Sequence, residues 1–247
     1  MRKDTIAYKI KKRTGILVIR MFEWVIRVVD GNKDFYDLKD FSFVKMLEEN
    51  TGKIRDEYLQ LASSAIIPKI EEVFIEQEIL TGDDNWRSYL LTIYGYDLIE
   101  HLERCPVTTD CINRIPLMTS ALFSVLQPGK KIRPHRGIYN GILRCHLALI
   151  VPDVMKCEII VNGKTEHWKE GKCMIFDETF IHSVNNRSDR PRVILFLDFI
   201  RPLPAPFNYI NLFFFHLIAR SEFIREILDR SEKLDGVKYR ERAIKLP

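Results

Sequence analysis

Between residues 118 and 201 the chain is cut into short runs of β-branched and aromatic residues, each closed by a turn signal. This pattern restricts the fold more than any other feature. ALFSVL stops before Pro128-Gly129 and ILRCHLALIV before Pro152, and CEIIV, CMIF and RVILFLDFI follow; such runs read as strands. Asn162-Gly163 sits between CEIIV and KTEHW. Both residues accept positive φ, which makes the pair the strongest short hairpin signal available. Several short antiparallel strands joined in this way predict a jelly roll or related barrel.

Helical patterns flank the predicted barrel. Residues 40 to 104 read as mainly helical from FVKMLEEN onward, with breaks at Pro68 and at Gly82-Asp83-Asp84. After Arg201-Pro202 the chain returns to helix in INLFFFHLIAR and SEFIREILDRSEKL. The N-terminus opens with Arg2, Lys3, Lys9, Lys11, Lys12 and Arg13, and GILVIRMFEWVIRVV then puts Arg20, Glu23 and Arg27 on one helix face with apolar residues elsewhere. Two readings stand side by side: peripheral membrane contact through residues 14–29, and packing of a terminal helix on the domain. The expected division is a basic arm and amphipathic helix over 1–35, a helical flank over 36–117, a catalytic core over 118–202 and a helical extension over 203–247.

With 46% hydrophobic residues in 247 the chain can build a real core. A formal charge of +4 does not imply nucleic-acid binding. Five cysteines without a CxxC pair argue against a disulfide framework and a thiolate zinc site, so reduced, mostly buried thiols in a cytoplasmic protein are expected.

Strand alternation in Leu143-Arg144-Cys145-His146-Leu147 sends Arg144 and His146 to one face. In PRVILFLDFI it sets Arg192 among Ile194 and Phe196, where a guanidinium needs an anionic or hydrogen-bonding partner. Two strand arginines suit a dicarboxylic ligand, because the guanidinium fork matches a carboxylate bidentately. His135 follows Pro134 beside a glycine-punctuated turn, and His182 ends FDETFIH. Composition and spacing alone make only a weak case that either histidine binds metal.

The segments FSVLQPGKKIRPHRGIYNGILRCHLALIVP, HWKEGKCMIFDETFIHSVNN and RPRVILFLDFIRP, in this order, resemble the aspartyl/asparaginyl β-hydroxylase family, over about residues 86 to 202. The helical region before them is similar, more loosely, to bacterial members that include lipid A acyl-chain hydroxylases. The resemblance implies a double-stranded β-helix, cupin-like, with helical flanks, and a dioxygenase that uses Fe(2+), 2-oxoglutarate as cosubstrate and O2. His135 and His182 would coordinate the iron. Ser124 and Arg192 would hold the distal carboxylate of 2-oxoglutarate, and Arg144 and His146 its metal-proximal end. The chemistry would be oxidative decarboxylation of 2-oxoglutarate to succinate and carbon dioxide, coupled to hydroxylation of a C–H bond.

An HxD facial triad would place a carboxylate two residues after His135, where this chain has Gly137. Aspartyl/asparaginyl hydroxylases share a glycine there and lipid A hydroxylases tend to carry aspartate. The first expectation is therefore an Asp or Asn residue, or a related amino-acid unit in a peptide, as substrate. The second is a fatty-acyl chain of a lipid at the membrane face, and a reading of another class is a non-catalytic barrel binding an anion or a partner. Asp177 and Glu178 read as residues that fix the loop before His182 rather than as a missing ligand. His101, His167 and His216 read as packing or surface residues.

Overall fold

The computed structural model describes residues 19–64, 67–74 and 85–244. Eleven strands form two antiparallel sheets in this region: β1 (Trp86–Ile93), β2 (Tyr96–Leu98), β3 (Met118–Leu126), β4 (Lys131–His135), β5 (Ile142–Ile150), β6 (Cys157–Val161), β7 (Lys164–His167), β8 (Cys173–Phe176), β9 (His182–Asn186), β10 (Arg192–Ile200) and β11 (Tyr239–Glu241). The larger sheet has the order β11-β2-β1-β3-β10-β5-β8 and the smaller β4-β9-β6-β7. From β3 to β10 the chain passes back and forth between the sheets, and each half of the run supplies strands that interleave with the other. That winding is a double-stranded β-helix, a jelly roll closed by two facing sheets. The expected hairpin is present: Val161 pairs with Lys164, and Asn162 and Gly163 both have positive φ, 52° and 78°.

The helices are α1 (19–30), α2 (Phe43–Ser64), α3 (Ile70–Val73), α4 (Ile99–Glu103), α5 (Pro106–Asn113), α6 (Phe207–Ala219) and α7 (Glu222–Asp235). In α2, Phe43, Leu47, Ile54, Tyr58 and Leu61 recur at helical spacing and are buried. They cover the outer face of the large sheet, where they join Phe123, Leu147 and Leu195 in one core cluster. On the sheet's other side, beyond the barrel, Ile224, Ile227 and Leu228 of α7 pack on Leu90 and Leu122.

One expectation is corrected. Within residues 40 to 104 helix does prevail among the described residues, over Phe43–Ser64, Ile70–Val73 and Ile99–Glu103, but WRSYLLTI instead forms β1, pairs with β3 along its length and extends the large sheet. The strand is buried on both faces, so it lacks the apolar–polar alternation of a half-buried strand, and periodicity does not distinguish it from a buried helix.

The structure adds detail on α1. Residues 14–18 lie outside the described range, and in 19–30 the charged stripe does not face solvent as a unit. Glu23 is only 3% exposed. Its carboxylate accepts hydrogen bonds from Arg20 (2.7 Å) and Arg136 (2.9 Å), and its carbonyl accepts from Asn140 Nδ2 (3.0 Å). Burial pushes the Glu23 carboxyl up in spite of these partners, which favour its charged form. The exposed stripe is instead Met21, Trp24 and Val28. All five cysteines are buried and free.

Candidate functional site

All six residues singled out from the sequence, Ser124, His135, Arg144, His146, His182 and Arg192, line one cavity inside the barrel, together with Trp86, Phe176 and Phe196. Strand register brings them together. His135 at the end of β4 is the direct partner of His182 at the start of β9, and their ring centroids lie 4.1 Å apart. On β10, Ile194 lies opposite Ser124, Phe196 opposite His146 and Asp198 opposite Arg144. With a side-chain period of two, Arg192 shares the inward face of that row.

Each histidine of the pair is oriented by a backbone carbonyl. His135 Nδ1 lies 2.9 Å from Arg133 O, and His182 Nδ1 lies 3.0 Å from Phe180 O. A carbonyl can only accept, so in the neutral ring the proton sits on Nδ1 and Nε2 keeps its lone pair. Desolvation is the main cause that lowers both pKa values, with the Arg144 charge adding to it, and His182 falls to about 3. Two neutral imidazoles with free Nε2 atoms, side by side, are suited to hold a divalent metal. Among the described residues no group of three or more His, Cys, Asp or Glu side chains is arranged to hold a metal, so a metal bound at the histidine pair would take two protein donors from it.

Arg192 is 2% exposed, and its Nε and Nη1 have no hydrogen-bond partner. The guanidinium lies 4.6 Å from the centroid of the Trp168 ring, which favours the cation but satisfies none of its donors. Burial pushes its pKa down to about 10. Both ring nitrogens of buried His146 are likewise without a partner, the ring is packed among Trp168, Phe176 and Phe196, and desolvation keeps it neutral. A natural interior rarely leaves such groups unsatisfied, and a bound anion with several oxygens would satisfy the Arg192 donors and the one N–H of neutral His146. Ser124 Oγ accepts from Trp86 Nε1 at 3.0 Å, which leaves its hydroxyl proton to donate.

Arg144 departs from expectation. Its guanidinium is a bidentate partner of Asp198, Nε to Oδ1 at 2.9 Å and Nη2 to Oδ2 at 3.0 Å, and it also pairs with Glu178 and lies over the Phe196 ring. It reaches the cavity with much of its donor capacity already used, so it is less free for a ligand than its strand position suggests. Glu178, buried with its pKa raised by desolvation and by nearby Asp198 and Asp177, was not among the singled-out ligand-binding residues. The only signal that could have exposed it is its place four residues before His182. Asp177 instead accepts from Thr179 N (2.8 Å) and pairs with Arg201, which fixes the loop.

Gly137 N–H donates to Glu178 O at 2.8 Å, and a Cβ at Gly137 would overlap the Glu178 carboxylate group. The carboxylate of a distant residue thus fills the space into which an aspartate at 137 would project. Gly137→Asp should therefore destabilise the chain by about 1–3 kcal/mol through overpacking. A second change, Glu178→Ala, should restore part of the loss by vacating the space. Thermal melts of the single and double variants check this; equal melting of wild type and Gly137→Asp would refute the overlap.

The model for "Aspartyl/Asparaginyl beta-hydroxylase" matches residues 48–202. The ornithine lipid ester-linked acyl 2-hydroxylase of Rhizobium tropici is 34% identical over 213 residues, 85% of this chain and 76% of that protein. The aspartyl/asparaginyl beta-hydroxylase of Homo sapiens is 32% identical over 169 residues, 66% of this chain but 22% of that protein, so the chain spans about a fifth of its length. Among solved structures, a Pseudomonas putida prolyl-4-hydroxylase aligns with a TM-score of 0.42 at 15% identity, over 63% of this chain and 88% of that one. On the match of the family model over most of the barrel and its helical approach, the chain belongs to the aspartyl/asparaginyl β-hydroxylase family.

Proposed function

We propose that the protein is an iron(II)- and 2-oxoglutarate-dependent hydroxylase acting on a fatty-acyl chain of a lipid. The observation that carries the cosubstrate assignment is the unpaired, buried guanidinium of Arg192 in the same cavity as the histidine pair. Arg192 and Ser124 bind the distal carboxylate of 2-oxoglutarate, and His146 meets its other end with its one ring N–H donor. His135 and His182 hold the iron through Nε2. Arg144, tied to Asp198 and Glu178, keeps a fixed positive charge beside the site. The iron supplies activation of dioxygen, coupled to conversion of 2-oxoglutarate into succinate and carbon dioxide with transfer of an oxygen atom to a C–H bond. The aromatic lining of Trp86, Phe176 and Phe196 keeps water from the reacting groups.

For the substrate, the Rhizobium lipid hydroxylase is similar across 85% of the chain, reaching beyond residues 48–202. The flanking helices α1 and α6 also carry exposed apolar residues on their outer sides. The glycine at 137 favours the second reading, an Asp or Asn residue in a peptide. Succinate formation by purified protein with iron(II) and ascorbate tests both: stimulation by an ester-linked acyl lipid is expected. Stimulation by an Asp/Asn peptide alone would reverse the choice. Absence of both turnover and 2-oxoglutarate binding would leave a non-catalytic anion-binding barrel.

A further inference from the structure

We infer that α1 and α6 together form a docking surface for an anionic lipid bilayer, beside the mouth of the barrel. This deepens the lipid reading above and rests on it for what the surface delivers. On α1, Met21, Trp24 and Val28 fall at i, i+3 and i+7, one helical stripe, and all are exposed, Trp24 by 68%. On α6, Tyr209, Phe213 and Leu217 fall at i, i+4 and i+8 and are also exposed, Phe213 by 60%. The two helices touch: the Phe22 and Phe214 rings lie 5.1 Å apart, and Phe22, Ile26, Phe215 and Ala219 share one core cluster.

A helix on a water-facing surface carries charge on its outer side. Adjoining α7, EFIREILDRSEKLD, obeys that rule, whereas α6, FNYINLFFFHLIA, contains no Asp, Glu, Lys or Arg. Exposed aromatic side chains concentrated on touching helices mark an interaction surface rather than scattered surface apolar residues. No helix among the described residues is long and apolar enough to cross a membrane, so these helices lie along a surface instead of spanning it.

Charge identifies the occupant. Residues 1–13 hold six basic residues and one acidic, so the other 234 hold 32 basic against 33 acidic. The net positive charge of the chain is thus concentrated in the arm immediately preceding α1. A basic segment followed by an apolar stripe with an exposed tryptophan complements anionic headgroups over acyl chains.

Contacts tie this surface to the site. Glu23 of α1 pairs with Arg136, next to His135, and the Arg27 guanidinium lies 5.5 Å from the centroid of the Phe180 ring, two residues before His182. The same two loops expose Ile138 and Ile181. The barrel mouth thus exposes two isoleucines and is fixed to the helix that would rest on the bilayer.

Trp86 and Trp168 are buried, so Trp24 is the tryptophan that reports on the outside of the protein. Vesicles containing phosphatidylglycerol should shift its emission to the blue, and brominated acyl chains should quench it; pure phosphatidylcholine vesicles should do so far less. Phe213→Ser with Leu217→Ser should lower vesicle partitioning at least tenfold. Lys11→Gln, Lys12→Gln and Arg13→Gln should each lower it about fivefold at low salt. No blue shift with either vesicle, or a shift indifferent to these changes, overturns the inference. So does a dimer that Phe213→Ser with Leu217→Ser converts to monomer in a chain that ignores vesicles. 2-Oxoglutarate binding, followed on the same samples, separates the two readings. Vesicle binding without cosubstrate binding sinks the catalytic assignment alone, and the converse sinks the docking surface alone.

Discussion

Arg192→Met abolishes 2-oxoglutarate binding and leaves the unliganded protein at least as stable as wild type: this is the expected result, and its two halves have one physical cause. The guanidinium is 2% exposed and lacks partners on Nε and Nη1, so without ligand the protein bears the desolvation cost of a charge. The depression of its pKa to about 10 corresponds to a cost on the order of a few kcal/mol. Replacing a buried ionic group by an apolar side chain of similar volume is often neutral or stabilising, and methionine can still pack against Trp168. With ligand, the balance reverses. Losing a charge-assisted bidentate contact to a buried carboxylate costs about 2–5 kcal/mol, roughly 30-fold to several thousand-fold in affinity. Thermal melts with and without 2-oxoglutarate read both halves. Wild type should gain about 2.7 kcal/mol at a hundredfold excess over Kd, and the variant should gain nothing. A variant that melts well below wild type yet still responds to 2-oxoglutarate would make Arg192 a structural residue and move the carboxylate site elsewhere.

His182→Ala should lower iron(II) affinity by more than a hundredfold and bring succinate formation to background, with the fold retained. The loss is large because the variant removes one of the two paired imidazoles proposed to hold the iron, with no group of three or more metal-binding side chains among the described residues to replace it, and even residues that merely support a metal ligand are worth about 10–100-fold. Stability changes less. The ring is neutral, and its removal leaves only the Phe180 carbonyl without its 3.0 Å donor, a deficit of about 1–3 kcal/mol. Calorimetric titration with manganese(II), which resists oxidation, measures metal affinity apart from turnover. Wild-type affinity in the variant would exclude His182 as a ligand.

Much of this site was legible in the chain. Strand alternation put Arg144 and His146 on one face and Arg192 among inward apolar residues, and the structure brings all three into one cavity with Ser124, His135 and His182. The opposition of Arg144 and Asp198 was not legible, because it depends on the register between β5 and β10, 54 residues apart. Nor was the seating of Glu178 in the space beside Gly137. Sequence showed a missing carboxylate at 137, but only the approach of two loops shows that a carboxylate from elsewhere fills that space.

By itself the sequence determined what is local: the Asn162-Gly163 turn, the short strands, the amphipathic helices and the face on which each strand residue lies. These follow from allowed φ and ψ and from side-chain periods of 2.0 and 3.6, which act over a few residues. Tertiary structure decided which charges are paired and which are left open. It engaged Arg144 and left Arg192 unpaired, turned Glu23 inward against Arg136, and left Trp24 and Phe213 facing outward. The reason is that desolvation and hydrogen-bond satisfaction are set by neighbours that the fold brings from far along the chain.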